Sequence, residues 1–495
     1  MEENELNFKT DIVIPEAFYN ECLSTEYNDN DLDQLIKLIN ESDPLNQLKG
    51  LTGLSKLYKI NNTKSEPNLL YDDVEKLFNF LENFPLEFKI GSLICLASIE
   101  NYNLNNENLI IHEPNDKIIK IILYILEFPN KYKLELLKSN LDYLGLLVYD
   151  KDIINKFDPE NLYQKVRNLF EKVDSNEIAI IKKIIGIMSK IFEKEEEIAK
   201  NENIVIELIP FLNDLMVKYE TNKDILNFSL NIIFFITNVN VNAISNIESK
   251  VMDKIIELNL LKKLIDKIDT LNPEDDKTEI FNSLKIIANF GAMENSYYTD
   301  KIIELNVLDK LKLLMQDKYS LGIRKETAWL ISNIAAGTIN QLTKLYENNF
   351  QDILFDNISN SPDDKIKNNC LWALYNFSSL KNIEYLNALI EKGFIDIIIK
   401  RLKIDKGDTL ACSLEALNNI LCQGKNLDPA VYNIIETKVN ELDILNELKN
   451  FLKNNHSNTM IKNKIQTIFN NYFGIDNIEQ FLNENNEPIY NIFYN

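Results

Sequence analysis

Helix breakers are scarce in this chain of 495 residues: Gly and Pro number only 12 each. That scarcity argues against a β-rich fold and for long helices joined by short turns. Cysteines number five (Cys22, Cys95, Cys370, Cys412 and Cys422), scattered and without C-x-x-C spacing. This excludes a disulfide framework and a cysteine metal site, and fits reduced thiols in the cytosol or nucleus. The only histidines, His112 and His456, lie far apart and read as surface or loop residues. No metal or other cofactor is expected. No N-terminal stretch resembles a signal peptide. The most apolar run, IIFFI at 232–236, is too short to span a bilayer and reads as a buried helix. A Gly-rich phosphate loop and a nucleophile elbow are both missing, so an enzyme is not expected. Positive charge is in deficit: 53 Lys and Arg against 76 Asp and Glu give a net charge of −23. Such a surface is either simply solvated or meets a basic partner. It speaks against nucleic acid and anionic membranes, because phosphate contacts need Lys and Arg.

Tryptophan is the scarcest residue of all, with two copies, and both sit in one local pattern. Trp329 in ETAWLISNIAAG (326–337) and Trp372 in NCLWALYNFSSL (369–380) each precede an asparagine by four residues, Asn333 and Asn376. Extending the register backwards gives Asn289 in SLKIIANFG, and forwards Asn419 in SLEALNNIL. The separations along Asn289, Asn333, Asn376 and Asn419 are 44, 43 and 43 residues. That period fits the armadillo or HEAT class, in which each unit is two or three helices. Each asparagine is followed by a polar turn, an apolar helix, a Gly or Asn, and a second apolar stretch. The punctuating residues are Asn259, Asn306, Asn349 and Gly393, types that adopt the left-handed conformation closing a helix.

The same rhythm is fainter in the N-terminal half. Residues 31–60 and 73–99 read as helical units, with further helices over 117–127, 133–149, 177–192 and 204–218. The Asn-rich stretches 61–68 and 102–116 read as loops. The abundance of Asn itself is given no function. The expected architecture is all-α, a right-handed superhelical solenoid of about nine to ten repeats over 31–474. Residues 1–30 read as an acidic N-terminal segment and 475–495 as a C-terminal tail.

On a helix, residues i and i+4 share one face. Trp329 with Asn333 and Trp372 with Asn376 therefore form neighbouring patches on the concave face that equivalent helices of a solenoid line. Two indole walls make a slot for the stem of a Lys or Arg, with cation–π attraction added. An Asn amide pairs with the backbone of an extended peptide whatever its sequence. Acidic residues nearby capture the cationic tips. The ligand that follows is an extended basic peptide. The alternative is that both tryptophans pack in the core while the asparagines cap or bridge adjacent turns.

At these residues the chain resembles importin α, the adaptor that recognises nuclear localisation signals. RKETAWLISNIAAGTINQL (324–342) resembles the family's seventh armadillo repeat, and 366–396 its eighth. LEALNNIL (414–421), KIQTIFNNYFG (464–474), SLKIIANF (283–290) and NESDPLNQLKGLTGLSKL (40–57) are similar to the ninth, tenth, sixth and first. The resemblance implies a minor cargo groove at Trp329, Asn333, Trp372 and Asn376, with Glu326 on the family's acidic position. Ser332, Asn289 and Asn419 match further groove positions. Lys285 stands where the family has Arg, and Asn369 where it has a second acid. It further implies partners: basic nuclear localisation peptides of cargo proteins, importin β and an export receptor. The implied location is cytoplasm and nucleus.

The major groove of that family is not matched. Its ladder positions fall on Ser92 with Leu96, Asp142 with Leu146, and Gly186 with Lys190. The family's arginine-rich segment for importin β also has no counterpart in residues 1–45, which hold twelve acidic residues, two lysines and no arginine. Two functions are therefore expected to compete: an import adaptor, and a divergent scaffold or chaperone that binds a basic partner without a full import cycle.

Overall fold

Left-handed backbone marks the repeat from within. Asn259, Asn306 and Asn349 have φ of 53°, 61° and 60°, and Gly393 has 83°. At each of these the chain ends one short helix and starts the next, as their spacing leads one to expect. Other asparagines cap helices. Asn201 accepts from the Ile204 amide, Asn222 from Ile225, Asn295 from Tyr297, and Asn382 from Glu384 and Tyr385. Part of the Asn abundance is thus structural, a job the sequence reading did not assign.

The computed structural model describes residues 12, 14–61, 71–105, 112–129, 134–194, 201–238, 247–268, 270–404, 407–427, 429–441, 443–454 and 459–473. Among them every regular element is helical. The chain divides into two compact units, residues 1–254 and 255–495.

In the second unit the helices come in threes. Ser296–Glu304, Val307–Leu314 and Leu321–Ala335 form one set; Ile339–Glu347, Phe350–Asn360 and Asp364–Phe377 the next; Ile383–Glu391, Phe394–Ile404 and Gly407–Leu427 a third. The last helix of each set packs on its equivalents in series, starting from Lys277–Ala292 and running on to Thr459–Ile468. In the first unit Pro44–Asn61, Leu86–Asn105, Leu134–Leu147, Ile178–Lys194 and Lys223–Thr237 stack in the same serial way. This is the all-α solenoid order: each repeat covers the apolar face of the one before it.

A buried polar bond recurs between successive sets of the second unit with its partners exchanged. Arg324 donates from Nη2 to Asn357 Oδ1 at 2.9 Å, reaching from the long helix of one set to the middle helix of the next. One repeat later Asn368 holds the long-helix position and Arg401 the middle-helix one, bonded at 2.7 Å.

In the first unit, the described part of residues 1–30 includes a packed helix. Helix Glu16–Ser24 buries Tyr19 and Cys22 and packs on Pro44–Asn61. Lys56 ties it down by donating to the Leu23 carbonyl and, at 2.6 Å, to that of Thr25. The supposed loop at 102–116 is shorter than read, because helix runs to Asn105 and resumes at Asp116. Likewise Asn61 is helical, and 62–70 lie outside the described residues. His112 is a loop residue, but its Nδ1 lies 2.9 Å from the buried Glu100 carboxylate, so it is a structural partner and not a bystander. His456 and residues 475–495 fall outside the described residues. Ile232, Ile233 and Ile236 of the IIFFI run are buried, whereas Phe234 and Phe235 are half-buried. Among the described residues no helix is long and apolar enough to cross a membrane.

Lys89, 1% exposed, donates to the Leu81 carbonyl near the end of helix Tyr71–Asn83. Burial pushes its ammonium from the ordinary 10.5 down to about 8. Below the folded value both states carry the proton, and the fold bears the cost of the buried charge. Between that value and the unfolded one the unfolded chain binds more protons, so stability rises with pH. Denaturant titrations of the parent and Lys89→Met from pH 7 to 10 should show the parent gaining about 3 kcal/mol on the variant as that window is crossed. A pH-independent difference would mean that the buried amine holds its proton as tightly in the folded state as in the unfolded one.

Candidate functional site

The Trp329 helix is two-sided. Ile323, Thr327, Ala328, Leu330, Ile331 and Ile334 are buried against the core. Gly322, Lys325, Glu326, Trp329 and Asn333 form a half-buried stripe at helical spacing on the other side. Asn368, Asn369, Trp372 and Asn376 make the matching stripe on Asp364–Phe377. Each helix starts firmly: Ser320 caps the first, and Asp363 caps the second through the Lys365 and Ile366 amides at 2.8 and 3.1 Å.

The two helices pack directly and in level. Asn369 donates from Nδ2 to the Lys325 carbonyl at 3.4 Å. One turn further along each helix brings Trp329 and Trp372 to the same height on neighbouring helices. Both indoles are half-buried, so neither is a core residue and neither stands free in solvent. Asn333 and Asn376 are half-buried as well, and both lie in the last turn of their helices and not mid-helix. The Asn333 amide is notable because its Nδ2 is shielded from water and has no hydrogen-bond partner. An unsatisfied buried donor costs about 1–3 kcal/mol.

Glu326 is half-buried one turn before Trp329. Burial pushes its carboxyl above the ordinary range, and Lys285 and then Lys325 work against that rise. Three expected residues are placed differently. Ser332 is buried, and its hydroxyl donates to the Trp329 carbonyl at 2.7 Å. Asn289 is buried in Lys277–Ala292, one turn past the half-buried Lys285. Asn419 lies on the next long helix, half-buried, with Nδ2 3.3 Å from Ser378 Oγ. Trp329, Asn333, Trp372, Asn376 and Glu326 are therefore half-buried on their helices, while Ser332 and Asn289 are buried.

No family model matches this chain. The chain is similar to the probable importin subunit alpha-A of Dictyostelium discoideum, 25% identical over 180 residues. That match covers 34% of this chain and 32% of the relative, about a third of its length. Two solved structures are similar at 20% identity and a TM-score of 0.36, each match covering 60% of this chain and 98% of the other. One is a computationally designed armadillo repeat protein for modular peptide recognition; the other is a designed armadillo repeat protein in complex with the peptide (KR)4.

The corresponding positions of the first unit present no such ladder. Ser92 and Leu96 are wholly buried. Asp142 is exposed but paired with Lys183 from the next long helix. A methyl at Gly186 would meet the Phe228 ring at 3.5 Å. Lys190 bonds Glu193 at 2.7 Å and lies 4.5 Å from the Tyr149 ring centre. Among the described residues no three His, Cys, Asp or Glu side chains gather as a metal site.

Proposed function

We propose that this chain is an importin-α-like adaptor that binds basic nuclear localisation peptides in the groove built on Trp329 and Trp372, for nuclear protein import. The observation that carries the reading is the unpartnered Asn333 donor on a helix face it shares with the half-buried Trp329, next to the helix that carries the half-buried Trp372. Trp329 and Trp372 flank the stem of one Lys or Arg; Glu326 attracts its cation; Asn333 and Asn376 hold the peptide backbone. Basic cargo peptides, importin β and an export receptor are the partners on this reading, and cytoplasm and nucleus the location. The function is binding without catalysis.

The missing Trp–Asn ladder in the first unit favours a second reading, a divergent scaffold or chaperone that holds a basic partner without a full import cycle. Fluorescence titration with a basic localisation peptide tests the site itself, because both indoles of the chain report on it. Saturable quenching is expected, and Asn333→Ala with Asn376→Ala should abolish it while the helical content persists. No response at micromolar peptide sinks the reading. Capture of importin β family members separates the adaptor from the scaffold.

A further inference from the structure

A cavity of about 390 Å³ lies in the first unit, lined largely from helices Pro159–Lys172 and Glu202–Lys218, neither of which belongs to the serial stack. Its walls are apolar and mostly aromatic: Phe170, Phe211, Tyr219 and Ile181. Phe170 and Phe211 meet edge to face with 4.8 Å between ring centres. Tyr219 is anchored by its hydroxyl, which donates to the Ser175 carbonyl at 3.0 Å. The walls thus hold one another in place, and the space is formed before any ligand enters it.

Two cations border this apolar space, in a chain of net charge −23. The Arg167 guanidinium carbon stands 3.9 Å from the Phe211 ring centre. Its Nη1 donates to Glu171 Oε1 at 3.2 Å, and its other donors have no partner among the described residues. Lys218 is exposed, with its ammonium 5.4 Å from the Tyr219 ring centre, and it pairs with no carboxylate among the described residues. This arrangement discriminates by charge. An aromatic cage for a cation needs bare π faces, and those of Phe211 and Tyr219 each have a cation already. A basic ligand meets repulsion there, whereas an acid meets unused donors. Arg167 also borders a second cavity, of about 360 Å³, whose lining includes Glu160 and Glu207. Those carboxylates turn an incoming anion toward Lys218.

We propose that the first cavity docks an acidic peptide segment of a partner protein. One large apolar side chain fills the aromatic space, and a flanking carboxylate bonds Lys218 and the unused donors of Arg167. The volume is at the low end for a ligand pocket, which suits a single anchoring side chain. The flanking charges then set which segments are accepted.

Labelled octapeptides with a central Phe, Leu or Trp and two Glu on each side test this by fluorescence anisotropy on the full chain, at physiological ionic strength. At least one should bind saturably, and its counterpart with Gln for Glu should bind about fivefold more weakly. Ala in place of the central anchor should cost about tenfold or more. Lys218→Gln should remove most of the preference for Glu over Gln, and Lys218→Arg should keep it. Ser175→Phe, which fills the cavity from an exposed turn, should abolish binding while helical content and melting temperature persist. If no peptide of the set binds, or if binding is indifferent to both Lys218→Gln and Ser175→Phe, the inference is overturned. If free 3-phenylpropionate binds as tightly as the best peptide, the site serves a small acid and the peptide partner is overturned.

Discussion

Trp329→Ala and Trp372→Ala should each weaken binding of a basic peptide by about thirtyfold, in keeping with aromatic anchors at the centre of a contact. Each indole forms one wall of the slot, so removing either exposes the ligand's aliphatic stem and halves the π surface facing its cation. The two losses should not add, because the second wall has little to close against once the first is gone. Phe at either position should recover part of the affinity by restoring the wall with a weaker quadrupole. Both helices also bury an opposite, apolar face, so the variants should remain folded, with melting temperatures lowered by a few degrees. The assay is anisotropy of a labelled peptide, with thermal melts of the same samples. Unchanged affinity in both alanine variants would remove the tryptophans from the site.

A second large effect lies in the first unit. Gly50→Ala should destabilise the first unit by about 3 kcal/mol or more, at the upper end of overpacking costs. A methyl there would sit 2.7 Å from the Leu35 carbonyl oxygen and 2.9 Å from the Ile39 amide nitrogen. Both are backbone atoms of the neighbouring helix Leu32–Ile39, so relief requires the two helices to move apart. Gly145→Ala is the matched control, since its methyl would meet only Ile187 Cγ1 at 3.9 Å. There the gain in helix propensity should stabilise by about 0.5–1 kcal/mol. Denaturant unfolding followed by circular dichroism measures both. Equal stabilities for the two variants would mean that the Leu32–Ile39 helix yields freely.

Much of the second unit was legible from residue spacing. Asn306, Asn349 and Gly393 disclosed the helix junctions because left-handed backbone admits few residue types. The Trp–Asn pairs disclosed a face because i and i+4 coincide on any helix. Burial was not legible. Ser332 and Asn333 are adjacent in sequence, yet one bonds back into its own helix and the other has a donor without a partner. Period alone does not say which side of a helix its neighbour covers. The influence of Lys285 on Glu326 was also hidden, because it depends on the level at which two helices pack. In the first unit the ladder types are gone, and Lys183 reaches Asp142 across 41 residues of sequence, a pairing no local pattern announces.

The exchanged Arg–Asn bond bears on how this chain can change length. Arg324 looks forward to Asn357, and Asn368 looks forward to Arg401. Excising 44 residues, the spacing from Asn357 to Arg401, as unequal recombination would, brings Arg324 against Arg401. Two guanidinium groups then share one partly buried seam. Duplicating the same stretch sets Asn368 against a second copy of Asn357 and leaves no cation in the seam. Each of these two junctions thus carries a pairing that its own neighbour completes and a neighbour shifted by one repeat does not.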